Sequence, residues 1–272
     1  MAARPPASHP NVVMIHGAFC GGWAFEHFAH AFAAAGHAVL TPDLRYHDCG
    51  ARPPAALGTT SMADYAEDLE ALIAGFERPP VLVGHSMGGL LAQMLATRCE
   101  IAALVLLSPS APWGVLPSTM FEVASAGAMF LTGGFWCKPI APNYDIAASN
   151  ALNLLPPEER RRVFERFVPE SGLATFEIMN WALDTRRATF VGADDVRCPV
   201  LCFSGTEDYV NPPPTVRRVA GRYRERATYH ELNGHSHWMI GEPGWEGVAA
   251  RTLAWLDETL AQGYGPAQAA AD

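Results

Sequence analysis

A serine that could act as a nucleophile stands at the end of an apolar run, in the stretch VLVGHSMGG. Ser86 has Gly84 two residues before it and Gly88 two residues after it, a spacing that lets a strand and a helix meet in a sharp turn. The N–H of Met87, at the start of that helix, is an expected donor to an oxyanion. The other interpretation is a serine that only caps a helix.

A serine hydroxyl is a weak nucleophile unless a base removes its proton, so an acid and a histidine are expected further along the chain. Asp208 follows the apolar stretch 199–204 and is preferred over its neighbour Glu207 as the acid. The chain has no acidic residue between Glu100 and Glu122, which argues against an acid placed after an earlier strand.

Two histidines compete for the role of the base. His235 and His237 both follow the last apolar strand pattern, in the stretch NGHSHW. Either one could reach back to Ser86 from a loop of about five residues, and the spacing alone leaves both open.

The elements that must position these residues are short apolar strands alternating with helical patterns. This alternation predicts an α/β fold with a mostly parallel sheet of about six strands and helices on both faces. The predicted strands are residues 11–17, 39–44, 81–86, 101–108, 199–205 and 228–232. The predicted helices are residues 23–34, 62–76 after a Ser61 cap, 87–98, 213–222 and 245–260.

Residues 111–190 interrupt this alternation, with helical stretches and aromatic residues but no predicted strand. We expect them to form a helical cap over the carboxyl edge of the sheet, where ligands bind in open α/β folds. The predicted core therefore comprises residues 1–110 and 191–262, and residues 263–272 are predicted to be a flexible tail.

Composition excludes several classes of function. The chain has 272 residues, 49% of them hydrophobic, and its formal net charge of -9 argues against a nucleic-acid partner. We expect no secretory leader and no membrane span, because the first ten residues lack a leader pattern and no apolar run is long enough to cross a membrane. The six cysteines are scattered and are predicted to be reduced and mostly buried, which indicates a cytoplasmic protein without a metal site.

From about residue 11 to 262 the chain resembles the α/β-hydrolase superfamily. Gly205, Asp208 and Pro212 match the Gly-x-x-Asp-x-x-x-Pro pattern of that family. His237, with a glutamate five residues later and then a proline, fits the family spacing, and the His-Trp pair at 237–238 is similar to hydrolases of ring-fission products. The Gly-His pair ending at His235 matches another common dipeptide, but the resemblance favours His237.

The loop after the first predicted strand, HGAFCGGW, is similar to a segment of plant methylesterases and hydroxynitrile lyases. That resemblance implies that the N–H of Ala18 is the second oxyanion donor and that His16 holds the loop. Cyanohydrin cleavage is disfavoured because the chain has one lysine, Lys138, in the predicted cap. A haloalkane dehalogenase would need an aspartate in place of Ser86.

The resulting prediction is a serine hydrolase, without a cofactor, that cleaves a carboxylic ester or lactone with the triad Ser86, Asp208 and His237. Its expected partner is a small apolar or aromatic ester-type substrate, and the oligomeric options include a homodimer. The alternatives are C–C hydrolysis of a diketone with the same triad and a non-catalytic ligand receptor on the same fold. The predicted substrate-binding residues are Phe19, Trp113, Trp181 and Trp238.

Overall fold

A six-stranded parallel sheet forms the centre of the computed structural model, which describes residues 9–261. The strands are β1 (Val12–Ile15), β2 (Val39–Leu40), β3 (Val81–His85), β4 (Ala103–Leu107), β5 (Pro139–Ile140), β6 (Glu170–Ser171), β7 (Val200–Gly205) and β8 (Ala227–Leu232). The sheet has the order β2-β1-β3-β4-β7-β8, and every neighbouring pair in it is parallel. The predicted α/β architecture, with a parallel sheet of about six strands, is confirmed.

Nine α-helices accompany the strands within the described residues. They are α1 (Glu26–Ala34), α2 (Met62–Ile73), α3 (Met87–Leu95), α4 (Met120–Ala128), α5 (Tyr144–Asn150), α6 (Pro157–Phe164), α7 (Gly172–Met179), α8 (Pro213–Gly221) and α9 (Trp245–Ala261). The predicted Ser61 cap is present, because Ser61 Oγ accepts the N–H of Asp64 at 3.1 Å and Asp64 Oδ2 accepts the N–H of Ser61 at 2.8 Å.

The alternation of side chains along the strands produces two apolar cores, one on each face of the sheet. Val13 and Ile15 of β1 belong to one core, together with apolar residues of α2, α3 and α8. Val12 and Met14 belong to the other core, together with residues of α1 and α9. A strand that is buried on both faces has a nearly continuous run of apolar residues, and this is why the sequence pattern predicted these strands.

Two elements of the structure differ in extent from their predicted ranges. The strand predicted over residues 39–44 ends at Leu40, because Pro42 has no N–H to donate to a ladder. The helix predicted from Trp23 starts as a 3-10 turn over Gly22–Phe25, and α1 begins at Glu26.

Residues 111–190 contain α4 to α7 and also the antiparallel pair β5 and β6. The expectation that this segment has no strand is wrong. The two strands were missed because each has two residues, which is too short for the alternation of apolar and polar residues to be recognised. Its role as a cap and the predicted division into core and cap stay predictions. The predicted tail, residues 263–272, lies outside the described residues.

No helix within residues 9–261 has the length and apolar content needed to cross a membrane. All six cysteines are free, as predicted. Their predicted burial is only partly right, because Cys49 and Cys137 are exposed, Cys99 is half-buried, and Cys20, Cys198 and Cys202 are buried.

Candidate active site

Ser86 occupies the turn between β3 and α3 in a backbone conformation that non-glycine residues rarely adopt. Its φ is 54° and its ψ is -120°, a strained combination that persists in folded proteins where the surroundings enforce it. Those surroundings include the carbonyl of Leu107, which accepts the Ser86 N–H at 3.1 Å, and the N–H of Ser110, which donates to the Ser86 carbonyl at 2.9 Å. The side chain retains little solvent access, since the residue is 8% exposed.

The glycines around Ser86 are required by close backbone contacts. A Cβ at Gly84 would lie 2.4 Å from the carbonyl oxygen of Gly88, and a Cβ at Gly88 would lie 2.0 Å from that of Ile15. A Cβ at Gly17 would come within 3.0 Å of the Ser86 Cβ. The steric role predicted for Gly84 and Gly88 is therefore observed, and the loop after β1 lies directly beside Ser86.

Asp208 and His237 form a buried pair at the same edge of the sheet. Asp208 Oδ2 accepts the N–H of His237 Nδ1 at 2.9 Å, while Asp208 Oδ1 accepts the N–H groups of Val210 at 2.9 Å and Asn211 at 2.8 Å. The contact fixes the imidazole with its proton on Nδ1, so that Nε2 is the nitrogen able to take a proton from a hydroxyl.

The neighbouring histidine and acid have other partners. His235 Nδ1 donates to Glu242 Oε1 at 3.0 Å, and the same carboxylate oxygen accepts the N–H of Ser236 at 2.8 Å. Glu207 accepts the hydroxyl of Tyr209 at 3.1 Å. The structure therefore brings Asp208 and His237 together, and it places His235 against Glu242.

His85 connects this pair to the turn that holds Ser86. Its Nε2 donates to the backbone carbonyl of His237 at 2.8 Å, and the two rings lie 4.8 Å apart. Burial and then the nearby His237 lower the pKa of His85 well below its ordinary value, so the ring is neutral and carries its proton on Nε2. Asn211 Nδ2 donates to the Ser108 carbonyl at 2.9 Å, which joins the acid loop to the loop after β4.

The loop after β1, which contains Ala18, is held by His16. His16 Nε2 accepts the N–H of Leu44 at 3.0 Å, and its Nδ1 donates to the carbonyl of Gly17 at 2.8 Å. Burial and then the neighbouring His47 lower the pKa of His16 to about 4, so the ring is neutral at physiological pH. Met87 begins α3, where N–H groups have no partner inside the helix. The donor roles of Ala18 and Met87 stay predictions.

The predicted substrate-binding residues have different packing partners. Trp113 and Trp181 pack edge to face at 5.3 Å, and Trp238 packs against Trp23 at 5.9 Å and is 4% exposed. Phe19 lies in the loop after β1 and is half-buried.

Residues 9–261 contain no group of three or more His, Cys, Asp or Glu side chains arranged to hold a metal ion.

The sequence analysis missed a buried acid, Glu170, which lies in β6 of the predicted cap. Its Oε2 accepts from His47 Nε2 at 3.0 Å and from the Phe19 N–H at 3.3 Å, and its Oε1 accepts the Tyr65 hydroxyl at 2.8 Å. Burial by itself disfavours the charged forms of both His47 and Glu170. The Glu170 carboxylate nevertheless raises the pKa of His47, and His47 lowers the pKa of Glu170, so the pair is ionic. No local pattern marks this glutamate, because its partners lie far away in the chain.

Segment 111–190 contacts three loops of the site. Val168 N–H donates to the Phe19 carbonyl at 2.9 Å, and Asn153 Nδ2 donates to the Glu207 carbonyl at 3.0 Å. The Ser236 hydroxyl, which donates to Glu242, lies 3.4 Å from the Ala151 carbonyl. These contacts connect the segment to the loops that carry Ala18, Asp208 and His237.

Comparisons with known proteins found similar sequences and similar folds. A family model described as the alpha/beta hydrolase family matches residues 12–251. A carbendazim hydrolyzing esterase from Nocardioides sp. (strain SG-4G) is 31% identical over 179 residues, which cover 62% of this chain and 72% of that protein. Among solved structures, a monoacylglycerol lipase from Paleococcus ferrophilus has a TM-score of 0.66 at 24% identity, over 91% of this chain and 94% of that one. A methylesterase from Arabidopsis has a TM-score of 0.70 at 15% identity, over 92% and 100% of the two chains.

Proposed function

The chain belongs to the alpha/beta hydrolase family, and we propose that it is a serine hydrolase that cleaves a carboxylic ester or lactone through an acyl-enzyme. The observation that carries the proposal is the contact of Asp208 with His237, next to the strained turn of Ser86. The names of the related proteins support ester cleavage, since they include an esterase, a lipase and a methylesterase.

In the proposed acylation step, Ser86 Oγ attacks the carbonyl carbon while His237 Nε2 takes the hydroxyl proton. Asp208 accepts the Nδ1–H bond and stabilises the imidazolium that forms. The N–H groups of Ala18 and Met87 bind the oxyanion of the tetrahedral intermediate. The intermediate collapses when His237 returns the proton to the leaving alcohol oxygen, which leaves an acyl group on Ser86.

In the deacylation step, His237 takes a proton from a water molecule that attacks the acyl carbonyl, and the same N–H groups bind the second oxyanion. Ser86 then leaves with the proton from His237, and the carboxylic acid is released. For a lactone, the alcohol and the acid are two ends of one product. All of these proton transfers use Nε2, because Nδ1 donates to Asp208.

The proposed substrate is small and carries an apolar or aromatic group. Segment 111–190 is proposed to cover the site, in agreement with its contacts to three of the site's loops. Its aromatic residues, among them Trp113 and Trp181, would supply apolar surface, as ligand pockets generally do. In the same proposal, Phe19 and Trp238 approach the substrate from the core.

The test is turnover of a series of p-nitrophenyl esters and lactones by the wild-type protein and by Ser86→Ala. We expect kcat/KM to fall by roughly four to six orders of magnitude in Ser86→Ala. The melting temperature should stay within a few degrees of the wild-type value. A fluorophosphonate should label the wild-type protein at Ser86 and leave the variant unlabelled.

Two results would contradict the proposal. Full turnover by Ser86→Ala would remove the nucleophile from the mechanism. Stoichiometric labelling at Ser86 without repeated turnover of any ester or lactone would point to a ligand receptor. A diketone hydrolysed much faster than every ester would replace the ester substrate by a C–C substrate and leave the triad in place.

A further inference from the structure

Glu170 joins the predicted cap to the loop that carries the proposed oxyanion donor. Its side chain is fully buried, and four donors converge on the two carboxylate oxygens. Those donors are the Phe19 N–H, His47 Nε2, the Tyr65 hydroxyl and the Ser171 N–H. His47 also donates from Nδ1 to the Arg45 carbonyl at 3.1 Å, so both of its ring nitrogens carry protons.

Phe19 is held on both sides by the same short stretch of chain. Its N–H donates to Glu170 at 3.3 Å, and its carbonyl accepts the N–H of Val168 at 2.9 Å. Phe19 needs this support, because its φ of 64° lies in the left-handed region that non-glycine residues rarely occupy. The contacts from residues 168 and 170 therefore stabilise an unfavourable backbone conformation in the loop after β1.

The geometry of the peptide bond carries this effect to Ala18. In a trans peptide the carbonyl of Gly17 and the N–H of Ala18 share one plane and point in opposite directions. His16 fixes that plane, because its Nδ1 donates to the Gly17 carbonyl at 2.8 Å. The next plane contains the Phe19 N–H and is fixed by Glu170, so the backbone of Ala18 is held between two anchored planes.

We propose that Glu170 is a positioning residue that holds the loop after β1 in the conformation that aims the Ala18 N–H at the oxyanion. The inference rests on the proposed serine hydrolase function, since it assigns Ala18 the donor role. Glu170 acts through the backbone of residues 18–19 and has no contact with the reacting atoms in this scheme. It makes the oxyanion site depend on the docking of the predicted cap onto the core.

The test compares Glu170→Gln with Glu177→Gln. Glutamine keeps the size of the side chain, but it replaces one acceptor oxygen by an amide that faces donors. Glu177 is a matched control, because it is also buried in segment 111–190 and accepts a backbone N–H, that of Met62 at 2.7 Å, away from the loop after β1.

For Glu170→Gln we expect kcat for a p-nitrophenyl ester to fall by about 10- to 100-fold, with KM within about twofold. Removal of an oxyanion donor lowers kcat by a hundredfold or more, and this variant misaligns the donor without removing it. The affinity for a trifluoromethyl ketone, which forms a tetrahedral adduct, should fall by the same factor. Product inhibition by the free carboxylic acid should not change. Glu177→Gln should keep kcat and both affinities.

The outcomes separate this inference from the proposed function. Loss of turnover in Ser86→Ala together with wild-type kcat and ketone affinity in Glu170→Gln would overturn the role of Glu170 alone. Turnover in Ser86→Ala would overturn the proposed function itself. If Glu170→Gln does not fold, Val168→Pro removes the other bond to Phe19 and should lower kcat and ketone affinity together. Unchanged values in that variant would also overturn the inference.

Discussion

His235 and His237 lie two positions apart in one loop and bind different carboxylates. The sequence could narrow the base to these two residues, but it could not decide between them from spacing. The family pattern favoured His237 through a glutamate five residues later, yet the carboxylate of that glutamate, Glu242, binds His235. Contact with Asp208 is the feature that separates the two histidines, and this contact joins residues 29 positions apart.

Replacement of each histidine by alanine tests this assignment. His237→Ala should lower kcat/KM for an ester by about three to five orders of magnitude, because it removes the proposed base. His235→Ala should stay within about tenfold of wild type, since that ring binds Glu242 at the side of the site. Steady-state kinetics with one ester, together with melting temperatures, would measure both. A larger loss in His235→Ala would contradict the proposed triad.

At the scale of the elements, the sequence predicted the six sheet strands and the turn between β3 and α3. Their apolar runs are long enough to be recognised, and glycine and proline mark their ends. The pair β5 and β6 could not be predicted, because each strand has two residues and is defined by its partner. Glu170 was missed for the same reason, since its role depends on contacts with Phe19 and Tyr65, which lie more than 100 residues earlier in the chain.

The turn between β3 and α3 depends on glycine at position 88, and this can be tested by stability. Gly88→Ala should destabilise the protein by about 3 kcal/mol, because the new methyl group would overlap the carbonyl oxygen of Ile15. Gly247→Ala in α9 is the matched control. No atom lies within 4 Å of a Cβ at that position, so alanine should stabilise the helix by about 0.5–1 kcal/mol. Urea denaturation of both variants would measure these changes, and equal stabilities would refute the steric argument.

At the scale of the whole molecule, two buried glutamates join segment 111–190 to the rest of the fold, and their pKa values are shifted in opposite directions. Glu170 is ionic because it faces His47, which is protonated on both nitrogens. Glu177 accepts the N–H of Met62 at the start of α2. Burial, followed by the nearby Asp184, raises the pKa of Glu177 to about 7. The docking of the segment should therefore respond to pH near neutrality through Glu177.

The sign of that response follows from proton linkage. The Glu177 carboxyl in the folded protein holds its proton up to about pH 7, whereas the unfolded chain loses it near the ordinary value of 4.5. The folded state binds more protons between these values, so the free energy of unfolding falls as the pH rises from about 4.5 to about 7. Glutamine resembles the protonated acid in shape and cannot ionise.

Glu177→Gln should therefore match the wild-type protein in stability at pH 5 and exceed it at pH 8, by about 2 kcal/mol after allowance for partial solvent screening. Urea denaturation of both proteins at the two pH values would measure the difference. Glu67→Gln, at an exposed position of α2, is the control and should show no comparable gain at pH 8. A Glu177→Gln protein that is no more stable than wild type at pH 8 would mean that the Glu177 carboxylate is ionised in the fold without penalty. Docking of the segment would then be insensitive to pH at this residue.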